Sequence, residues 1–232
     1  MSFLFIGGCA HSGTTLLLKL LSNHSSIKSP LGILENTLDI FQKNSLACKK
    51  TLDLKHNKKT ILLKNPSNIL HINDIKNIYP KSKIILMYRD GRDVALSMHR
   101  RGKKKSFKGC CQYWVDRTQK ILKLTNHDTD TIYILKYEDL ISNPINILKE
   151  LVNWIGLDAD EDLLKKYETS LNTSVKKPVN EKNGKNHNQL RKWQVNQPLY
   201  NSSCWKEEMT PKQLQIFIQI AGKLLTQLNY SV

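Results

Sequence analysis

The chain has 232 residues, of which 40% are hydrophobic and 24% charged. A chain of this size and composition buries enough surface to fold without a disulfide or a structural metal, which excludes the small cysteine-stapled domains. Its formal net charge is +16, from 36 Lys and Arg against 20 Asp and Glu. That excess favours anionic partners such as nucleotides, nucleic acid, acidic peptides or acidic glycans, although a general bias toward Lys, Asn and Ile explains it equally well.

The positions of apolar residues and cysteines further narrow the class of protein. No apolar run reaches the roughly 20 residues that a membrane-spanning helix needs. The apolar start at 2–6 is short, lacks a basic flank and runs directly into a glycine turn, so it indicates a buried strand rather than a signal peptide. The cysteines are odd in number and have no CxxC spacing, which predicts reduced thiols in a cytoplasmic protein and no metal site. They are Cys9, Cys48, Cys110, Cys111 and Cys204.

Short apolar runs alternate with longer helical patterns along the chain, and this alternation is typical of an α/β fold. We expect a three-layer fold with a central, mainly parallel sheet flanked by helices, formed by a single domain over residues 1–232. The predicted strands are Phe3–Ile6, Thr60–Lys64, Lys83–Tyr88 and Thr131–Leu135. Apolar spacing predicts helices that begin near Thr14 and that cover 33–43, 69–78, 93–99, 109–124, 144–155, 160–171 and 212–228.

The first strand, a glycine turn and a helix form the layout of a phosphate-binding loop. Backbone N–H groups in such a turn point inward, and the helix N-terminus adds a partial positive charge. Gly8 and Gly13 have the GxxxxG spacing of a P-loop, which makes the expected fold P-loop-like, but Thr14 follows where Lys is expected. Without a Lys to reach the outer phosphates, the loop suits a 5′-phosphosulfate, whose terminal sulfuryl group carries one negative charge and needs no metal.

The hexapeptide SGTTLL that begins at Ser12 resembles the loop that binds 3′-phosphoadenosine 5′-phosphosulfate (PAPS) in sulfotransferases. The resemblance implies that Ser12, Gly13, Thr14 and Thr15 contact the 5′-phosphosulfate of this co-substrate. Most relatives have Arg before the Ser, and this chain has His11. Either His11 replaces that Arg as a donor to the sulfuryl group, which would make activity sensitive to pH near neutrality, or it simply fills the turn.

The segment from Arg89 to Ser97 follows the strand Lys83–Tyr88 and resembles the 3′-phosphate motif of the same family. Arg89 leaves the carboxyl end of a parallel strand, where ligands bind in α/β sheets, and its planar guanidinium suits phosphate oxygens. Ser97 lies on the next helix and can donate from the other side. Two phosphate sites in one chain predict a ligand that is phosphorylated at both ends of an adenosine.

Further resemblance extends along most of the chain. The segment YEDL, which begins at Tyr137, and the NP and LVNWIGL segments after it are similar to a sulfotransferase stretch that implies a mainly structural role, with Tyr137 close to the nucleotide. Four short motifs are similar to the protein-tyrosine sulfotransferase branch: KNP at 64–66, RDGR at 89–92, KPVN at 177–180 and KW at 192–193.

The resemblance implies an in-line displacement at sulfur, which needs a base for the acceptor hydroxyl and positive charge on the leaving phosphate oxygen. The segment LENT stands where relatives have GEET, so Glu35 is the candidate base and Asp39 the fallback. A Glu favoured by a helix N-terminus is the other interpretation of Glu35. Lys64 matches the Lys that stabilises the bridging oxygen, and Lys177 is a candidate contact of the 5′-phosphate.

Two other functions compete with this one. A P-loop kinase would need Lys where Thr14 stands. A nucleic-acid-binding module would place aromatic residues among the basic ones, whereas the basic run 100–108, which we expect to be a solvated loop, contains only Phe107. We therefore expect a sulfuryl acceptor, such as an acidic peptide or a glycan, rather than a nucleic acid as the partner.

Overall fold

The computed structural model describes residues 2–29, 60–102, 106–124, 128–159 and 203–231. Within these ranges five strands form one sheet in the order β2-β3-β1-β4-β5, and every pair is parallel. The strands are β1 (Ser2–Gly8), β2 (Ile27–Lys28), β3 (Thr60–Lys64), β4 (Lys83–Tyr88) and β5 (Ile132–Lys136). The predicted α/β fold with a parallel central sheet is confirmed.

Helices connect these strands and cover both faces of the sheet. The described helices are α1 (Thr14–Leu21), α2 (Ile72–Ile78), α3 (Gly91–Arg100), α4 (Phe107–Leu122), α5 (Tyr137–Ser142), α6 (Pro144–Ile155), α7 (Trp205–Glu208) and α8 (Pro211–Gln227), with a 3₁₀ helix at Pro66–Leu70.

The alternation of side chains along each strand separates two buried clusters. On one face, Leu4 and Ile6 of β1 pack with Leu17 of α1, Leu140 of α5 and Leu151 of α6. Residues of opposite parity on the same strands join a second cluster on the other face, with α2 and α4. Both faces of the strands are therefore buried, as their continuous apolar runs indicate.

A third cluster lies beside the sheet, where α3, α4 and α8 pack together. Trp114 of α4 and Phe217 of α8 are fully buried there, with ring centroids 5.6 Å apart. The start of α8 is fixed by a capping box, in which Thr210 Oγ1 accepts the Gln213 N–H and Gln213 Oε1 accepts the Thr210 N–H.

Several element boundaries match the sequence pattern. The strands Thr60–Lys64 and Lys83–Tyr88 and the helix Pro144–Ile155 have the predicted bounds. Two of them are bounded by proline, with Pro66 shortly after β3 and Pro144 at the first turn of α6.

The single helix predicted through 69–78 is wrong, because the chain forms the 3₁₀ helix first and then α2. Asn65 Oδ1 accepts the Ser67 N–H at 2.9 Å, which starts the 3₁₀ turn directly after β3. His71, with φ −122°, then separates the two helices. An Ile every third residue suits a 3₁₀ turn as well as an α-helix, so the spacing alone does not decide between them.

Other boundaries shift because side-chain caps decide where helices begin. Asp90 Oδ1 accepts the Arg92 N–H at 2.9 Å, so α3 begins at Gly91 rather than at the predicted Asp93. Ser106 Oγ accepts the Gly109 N–H at 3.1 Å, so α4 begins at Phe107, inside the predicted basic loop 100–108. The strand predicted at Thr131–Leu135 is found one residue later, at Ile132–Lys136. The elements β2, α5 and α7 are too short to show a hydrophobic period in the sequence. The predicted helices 33–43 and 160–171 lie outside the described residues.

No helix in the described part of the chain combines the length and apolar character of a membrane span. None of the cysteines among the described residues, Cys9, Cys110, Cys111 and Cys204, is in a disulfide, and Cys48 lies outside the described residues. Burial raises the pKa of Cys9 and of Cys111 to about 12, so both remain protonated thiols at neutral pH. A cytoplasmic location stays a prediction.

Candidate active site

The carboxyl ends of β1, β3 and β4 bring several of the predicted site residues to one edge of the sheet. β1 lies between β3 and β4. The chain leaves β1 toward β2 and β3 and returns to β4 on its other side, so the strand order reverses at β1. In open α/β sheets the crevice outside such a reversal is where ligands bind. The β1–α1 loop (residues 9–13) and the segment that follows β4 flank this crevice.

The β1–α1 loop owes its course to glycine and to unusual backbone angles. Gly8 has φ 124°, and a Cβ there would lie 2.2 Å from the carbonyl oxygen of Met87. The Cys9 N–H then donates to the same oxygen at 2.9 Å, which holds the loop against β4. Farther along, His11 has φ 68° and Gly13 has φ 87°. Two close approaches to β4 and two left-handed residues therefore fix the loop.

The loop ends at the N-terminus of α1, which offers donors to an anion. Gly13 is the N-cap residue and makes no side-chain cap, so the first-turn N–H groups are left to other acceptors. Ser12 is fully buried, and its Oγ has no hydrogen-bond partner among the described residues. The Ser12 hydroxyl lies near the Cys9 thiol, although not in hydrogen-bond geometry. Burial raises the pKa of the Cys9 thiol, and Ser12 opposes this with a smaller effect. Buried donors at a helix N-terminus are typical of phosphate sites.

Arg89 follows β4 on the other side of the crevice. Its Nη2 donates to Asp93 Oδ2 at 3.1 Å, and the Arg89 carbonyl accepts the indole N–H of Trp114 at 2.9 Å. The Nε of Arg89 is buried and has no hydrogen-bond partner in the described part of the chain. The guanidinium is thus held on one side and has donor capacity left on the other.

Asp93 is a buried carboxylate whose side chain is only 2% exposed. Besides Arg89, it accepts the backbone N–H of Trp205 at 3.0 Å. Burial raises the pKa of Asp93 to about 6, against the opposing effects of Arg89 and of the Trp205 N–H. This carboxyl therefore titrates just below neutral pH.

A second buried ion pair lies beside the first. Arg92 forks onto Asp90, with Nε 3.0 Å from Oδ1 and Nη2 2.8 Å from Oδ2, and both side chains are almost inaccessible to solvent. The Arg92 guanidinium carbon lies 3.7 Å from the ring centroid of Trp205, a cation–π contact. Residue 205 is thereby joined to α3 by its backbone and by its ring.

Glu138 ties the start of α3 to two other segments. Its Oε1 accepts the Asp90 N–H at 3.0 Å, and its Oε2 accepts the hydroxyl proton of Tyr230 at 2.8 Å. Glu138 stands at the start of α5, directly after β5, and Tyr230 follows α8. The Glu138 carboxylate thus connects the start of α5 to the start of α3 and to the segment after α8.

Tyr137 lies between the two sides of the crevice. The Arg89 guanidinium carbon is 4.5 Å from its ring centroid. A Cβ added to Gly13 would lie 2.4 Å from Tyr137 Cδ2, so only glycine fits where the ring meets the loop. Burial raises the pKa of the Tyr137 hydroxyl, which therefore stays neutral at physiological pH.

His11 and Ser97 join the two sides directly. His11 Nδ1 is 3.0 Å from Ser97 Oγ, although the residues are 86 positions apart in the chain. The loop that resembles a 5′-phosphosulfate site therefore touches the helix that resembles a 3′-phosphate site.

Comparison with known proteins places this arrangement in a family. The model of the sulfotransferase family matches residues 33–162, which is more than half of the chain. The chain belongs to the sulfotransferase family. A Caenorhabditis briggsae protein whose name provisionally assigns it to the protein-tyrosine sulfotransferases is 25% identical over 196 residues, covering 71% of this chain and 69% of the relative.

Solved sulfotransferases share the fold. The sulfotransferase domain of the Synechococcus PCC 7002 olefin synthase is 20% identical with a TM-score of 0.62, covering 100% of this chain and 96% of the other. A mouse sulfotransferase, SULT7A1, whose structure contains PAP (3′-phosphoadenosine 5′-phosphate), is 16% identical with a TM-score of 0.60, covering 97% and 88% of the two chains. At these identities the likeness concerns the fold.

Of the remaining residues that resemble sulfotransferase residues, the structure describes Lys64 only. Lys64 ends β3 at the same edge of the sheet and is 2% exposed. Its neighbour in the register is Ile6 of β1, so it lies one strand from the β1–α1 loop. Glu35, Asp39 and Lys177 lie outside the described residues, and their roles stay predictions. Among the residues described, no cluster of His, Cys, Asp and Glu is arranged to hold a metal.

Sequence reasoning missed the residues that support the candidate site. The sequence predicts no role for four residues that hold Arg89 and the start of α3 in place, namely Asp93, Glu138, Trp205 and Tyr230. The four-residue spacing of Arg89, just before α3, and Asp93, in its first turn, is a signal that could have revealed their pairing. The other contacts join segments far apart in the chain, and a single sequence carries no signal for them.

Proposed function

We propose that this protein transfers a sulfuryl group from PAPS to an acceptor hydroxyl by in-line displacement at sulfur. The observation that carries the proposal is the contact between the two phosphate-site candidates, in which His11 Nδ1 lies 3.0 Å from Ser97 Oγ. A nucleotide phosphorylated at both ends of its adenosine needs two phosphate sites across one crevice. Membership of the sulfotransferase family supports the same reaction.

The residues present fit such a nucleotide. The N-terminus of α1 and the buried hydroxyl of Ser12 provide donors for the 5′-phosphosulfate, and Thr14 and Thr15 stand at the first turn of the helix. Arg89 would bind the 3′-phosphate, since its buried Nε has no partner among the described residues. Donors buried without acceptors are unfavourable, so an anion that pairs with them binds with correspondingly greater affinity.

The chemical step needs positive charge on the oxygen that leaves with the nucleotide. Lys64 is our candidate because it ends the strand beside β1 and faces the same edge as the β1–α1 loop. An ammonium group in a poorly hydrated crevice stabilises developing negative charge more strongly than it would in water. Glu35 is our candidate base for the acceptor hydroxyl, and Lys177 a further contact of the 5′-phosphate.

The acceptor is proposed to be acidic. The net charge of +16 favours the approach of an acidic peptide or an acidic glycan over that of a neutral phenol. The name of the Caenorhabditis briggsae relative favours a peptide tyrosine between these two. We therefore rank a tyrosine flanked by Asp or Glu first.

Calorimetric titration with PAP in the presence of EDTA tests whether the crevice binds the nucleotide of PAPS. Wild-type protein should bind PAP without metal, and Arg89→Ala should bind it far more weakly. Arg100→Ala is the matched control, because Arg100 ends α3, the helix that follows Arg89, and its side chain is 55% exposed. Binding of ATP only with Mg²⁺, and none of PAP, would instead favour a P-loop kinase.

A transfer assay with labelled PAPS tests the acceptor. The substrates are a peptide with one tyrosine among Asp and Glu, its phenylalanine counterpart, an acidic glycan and a simple phenol. Label on the tyrosine peptide and none on its counterpart supports the ranking. Label on the glycan alone would retain the sulfotransferase reaction and overturn the choice of tyrosine.

A further inference from the structure

The hydrogen bond between His11 and Ser97 has a direction that the proposed function does not specify. Both side chains are partly buried, and their 3.0 Å separation fits one donor and one acceptor. His11 has φ 68°, a left-handed conformation that is unfavourable for a residue other than glycine. The loop therefore holds the imidazole in place beside α3.

The direction matters because a serine hydroxyl has a single proton. If Nδ1 is bare, Ser97 donates its proton to the ring and turns a lone pair toward any further partner. A phosphate offers acceptor oxygens only, and a lone pair repels them. If Nδ1 carries a proton, the ring donates to Ser97 Oγ, and the Ser97 hydroxyl keeps its own proton for the phosphate.

We propose that His11 donates its Nδ1–H to Ser97 Oγ in the nucleotide complex and thereby orients the Ser97 hydroxyl toward the 3′-phosphate. The inference rests on the proposed function and adds His11 to the 3′-phosphate subsite as a positioning residue. His11 acts on the phosphate through Ser97, and Ser97 makes the contact.

This arrangement restricts what else His11 can do. A neutral imidazole that has its proton on Nδ1 can only accept at Nε2. A donor role toward the sulfuryl group would therefore require the doubly protonated imidazolium. An Arg at this position would always be a donor, whereas His11 donates from Nδ1 only in the tautomer that has its proton there or as the imidazolium.

Other titratable groups near the loop do not change their charge at neutral pH. Cys9 in the loop and Tyr113 on α4 have pKa values that burial raises, so both stay protonated. Arg117 on α4 is a permanent positive charge that acts on both of them. Tyr137 on α5 also has a pKa raised by burial and stays neutral.

On the α3 side, Asp93 is the group that has to be separated from His11. Burial raises its pKa to about 6, and it pairs with Arg89, the proposed ligand of the same phosphate. Any uptake of protons on binding could therefore arise from Asp93. A test has to observe the imidazole itself.

Nitrogen NMR shows directly which nitrogen of the His11 imidazole bears a proton. The protein, labelled with ¹⁵N in its 7 histidines, is compared free, with PAP and with 5′-AMP at pH 7.5. The His11 signals are those that disappear in His11→Asn. We expect Nδ1 to bear a proton in the PAP complex, in the wild type and in Asp93→Asn alike. A bare Nδ1 in the PAP complex would overturn the proposal.

A double-mutant cycle gives a second, independent test. Ser97→Ala should weaken PAP binding by about tenfold, as expected for one hydrogen bond to a charged group. His11→Ala should weaken it by a smaller factor, and the double variant should be no worse than Ser97→Ala. His11→Asn, whose amide N–H can replace Nδ1–H, should remain near wild type.

The nucleotide lacking the 3′-phosphate distinguishes the outcomes. 5′-AMP should bind all these variants within about twofold of the wild type, because the affected hydrogen bond is absent. His71→Ala, which removes a histidine that pairs with Asp74 at the start of α2, is the matched control. Additive effects of His11→Ala and Ser97→Ala, or equal losses for PAP and 5′-AMP, would contradict the inference.

Failure of the wild type to bind PAP would overturn the proposed function and this inference together, whereas PAP binding with a bare Nδ1 overturns the inference alone.

Discussion

The two sides of the crevice present donors to phosphate in opposite ways. The β1–α1 loop does so with backbone, through glycines that approach Met87 and Tyr137 too closely for any side chain. The segment after β4 does so with charge, through Arg89 and a buried network of carboxylates. The loop should therefore tolerate almost no added volume, whereas the charged side should depend on pH and on the pairing of its ions.

Gly13→Ala should have the largest effect and tests the steric side. A non-glycine residue at φ 87° loses about 1–2 kcal/mol, and the new Cβ would collide with the Tyr137 ring. We expect the free energy of unfolding to fall by about 3 kcal/mol or more, since overpacking adds to the backbone strain. Denaturant titration measures it. Gly102→Ala is the control, because φ there is 59° and nothing lies within 4 Å of the added Cβ. Equal losses in both variants would show that the collision with Tyr137 is relieved at little cost.

Arg89→Ala should have the next largest effect and tests the charged side. Loss of charge-assisted hydrogen bonds to one phosphate predicts about a 100-fold weaker affinity for PAP. Affinity for 5′-AMP should change little, since that nucleotide lacks the 3′-phosphate. Calorimetry at pH 7.5 compares the two ligands. A similar loss for both would mean that Arg89 does not read the 3′-phosphate.

Asp93→Asn should remove a pH dependence of stability that arises on the charged side of the crevice. Asp93 has a pKa of about 6 in the fold, and an Asp in an unfolded chain titrates near 3.9. Between these values the folded protein binds more protons than the unfolded chain, so the Asp93 contribution to stability falls as the pH rises. We expect the wild type to lose about 2 kcal/mol relative to Asp93→Asn between pH 4 and pH 7. A difference in unfolding free energy that stays constant over that range would contradict the assignment.

Tyr230→Phe should have the smallest effect. It removes the hydroxyl that donates to Glu138 Oε2 at 2.8 Å, and one such hydrogen bond contributes about 1 kcal/mol. Thermal unfolding measures the loss. In a Glu138→Gln background the same change should matter less, because the acceptor is no longer charged. Equal effects in both backgrounds would place the role of the Tyr230 hydroxyl elsewhere.

The same contrast explains what the sequence could predict. The glycine loop is readable because its requirements are local: the spacing of Gly8 and Gly13, an apolar strand before them and a helix after them. The end of β3 and the start of α6 were also predictable, because Pro66 and Pro144 limit the backbone there. The position of Arg89 followed from its place at the end of an apolar strand.

The support of the charged side was not predictable, because it depends on contacts between distant segments. Trp205 reaches Asp93 across 112 positions, and Tyr230 reaches Glu138 across 92. The start of α3 was misplaced for a related reason. Asp90 was interpreted only as part of a phosphate motif, whereas it is also the helix cap and the partner of Arg92. A residue with three partners cannot be assigned from its type alone.

The most direct test of the account is a crystal structure of the protein with PAP. We predict the 5′-phosphate on the N–H groups of the β1–α1 loop and the first turn of α1, and the 3′-phosphate between the Arg89 guanidinium and Ser97 Oγ. A nucleotide bound elsewhere, or one whose 3′-phosphate contacts neither Arg89 nor Ser97, would contradict the claim that these two sides form a single donor site.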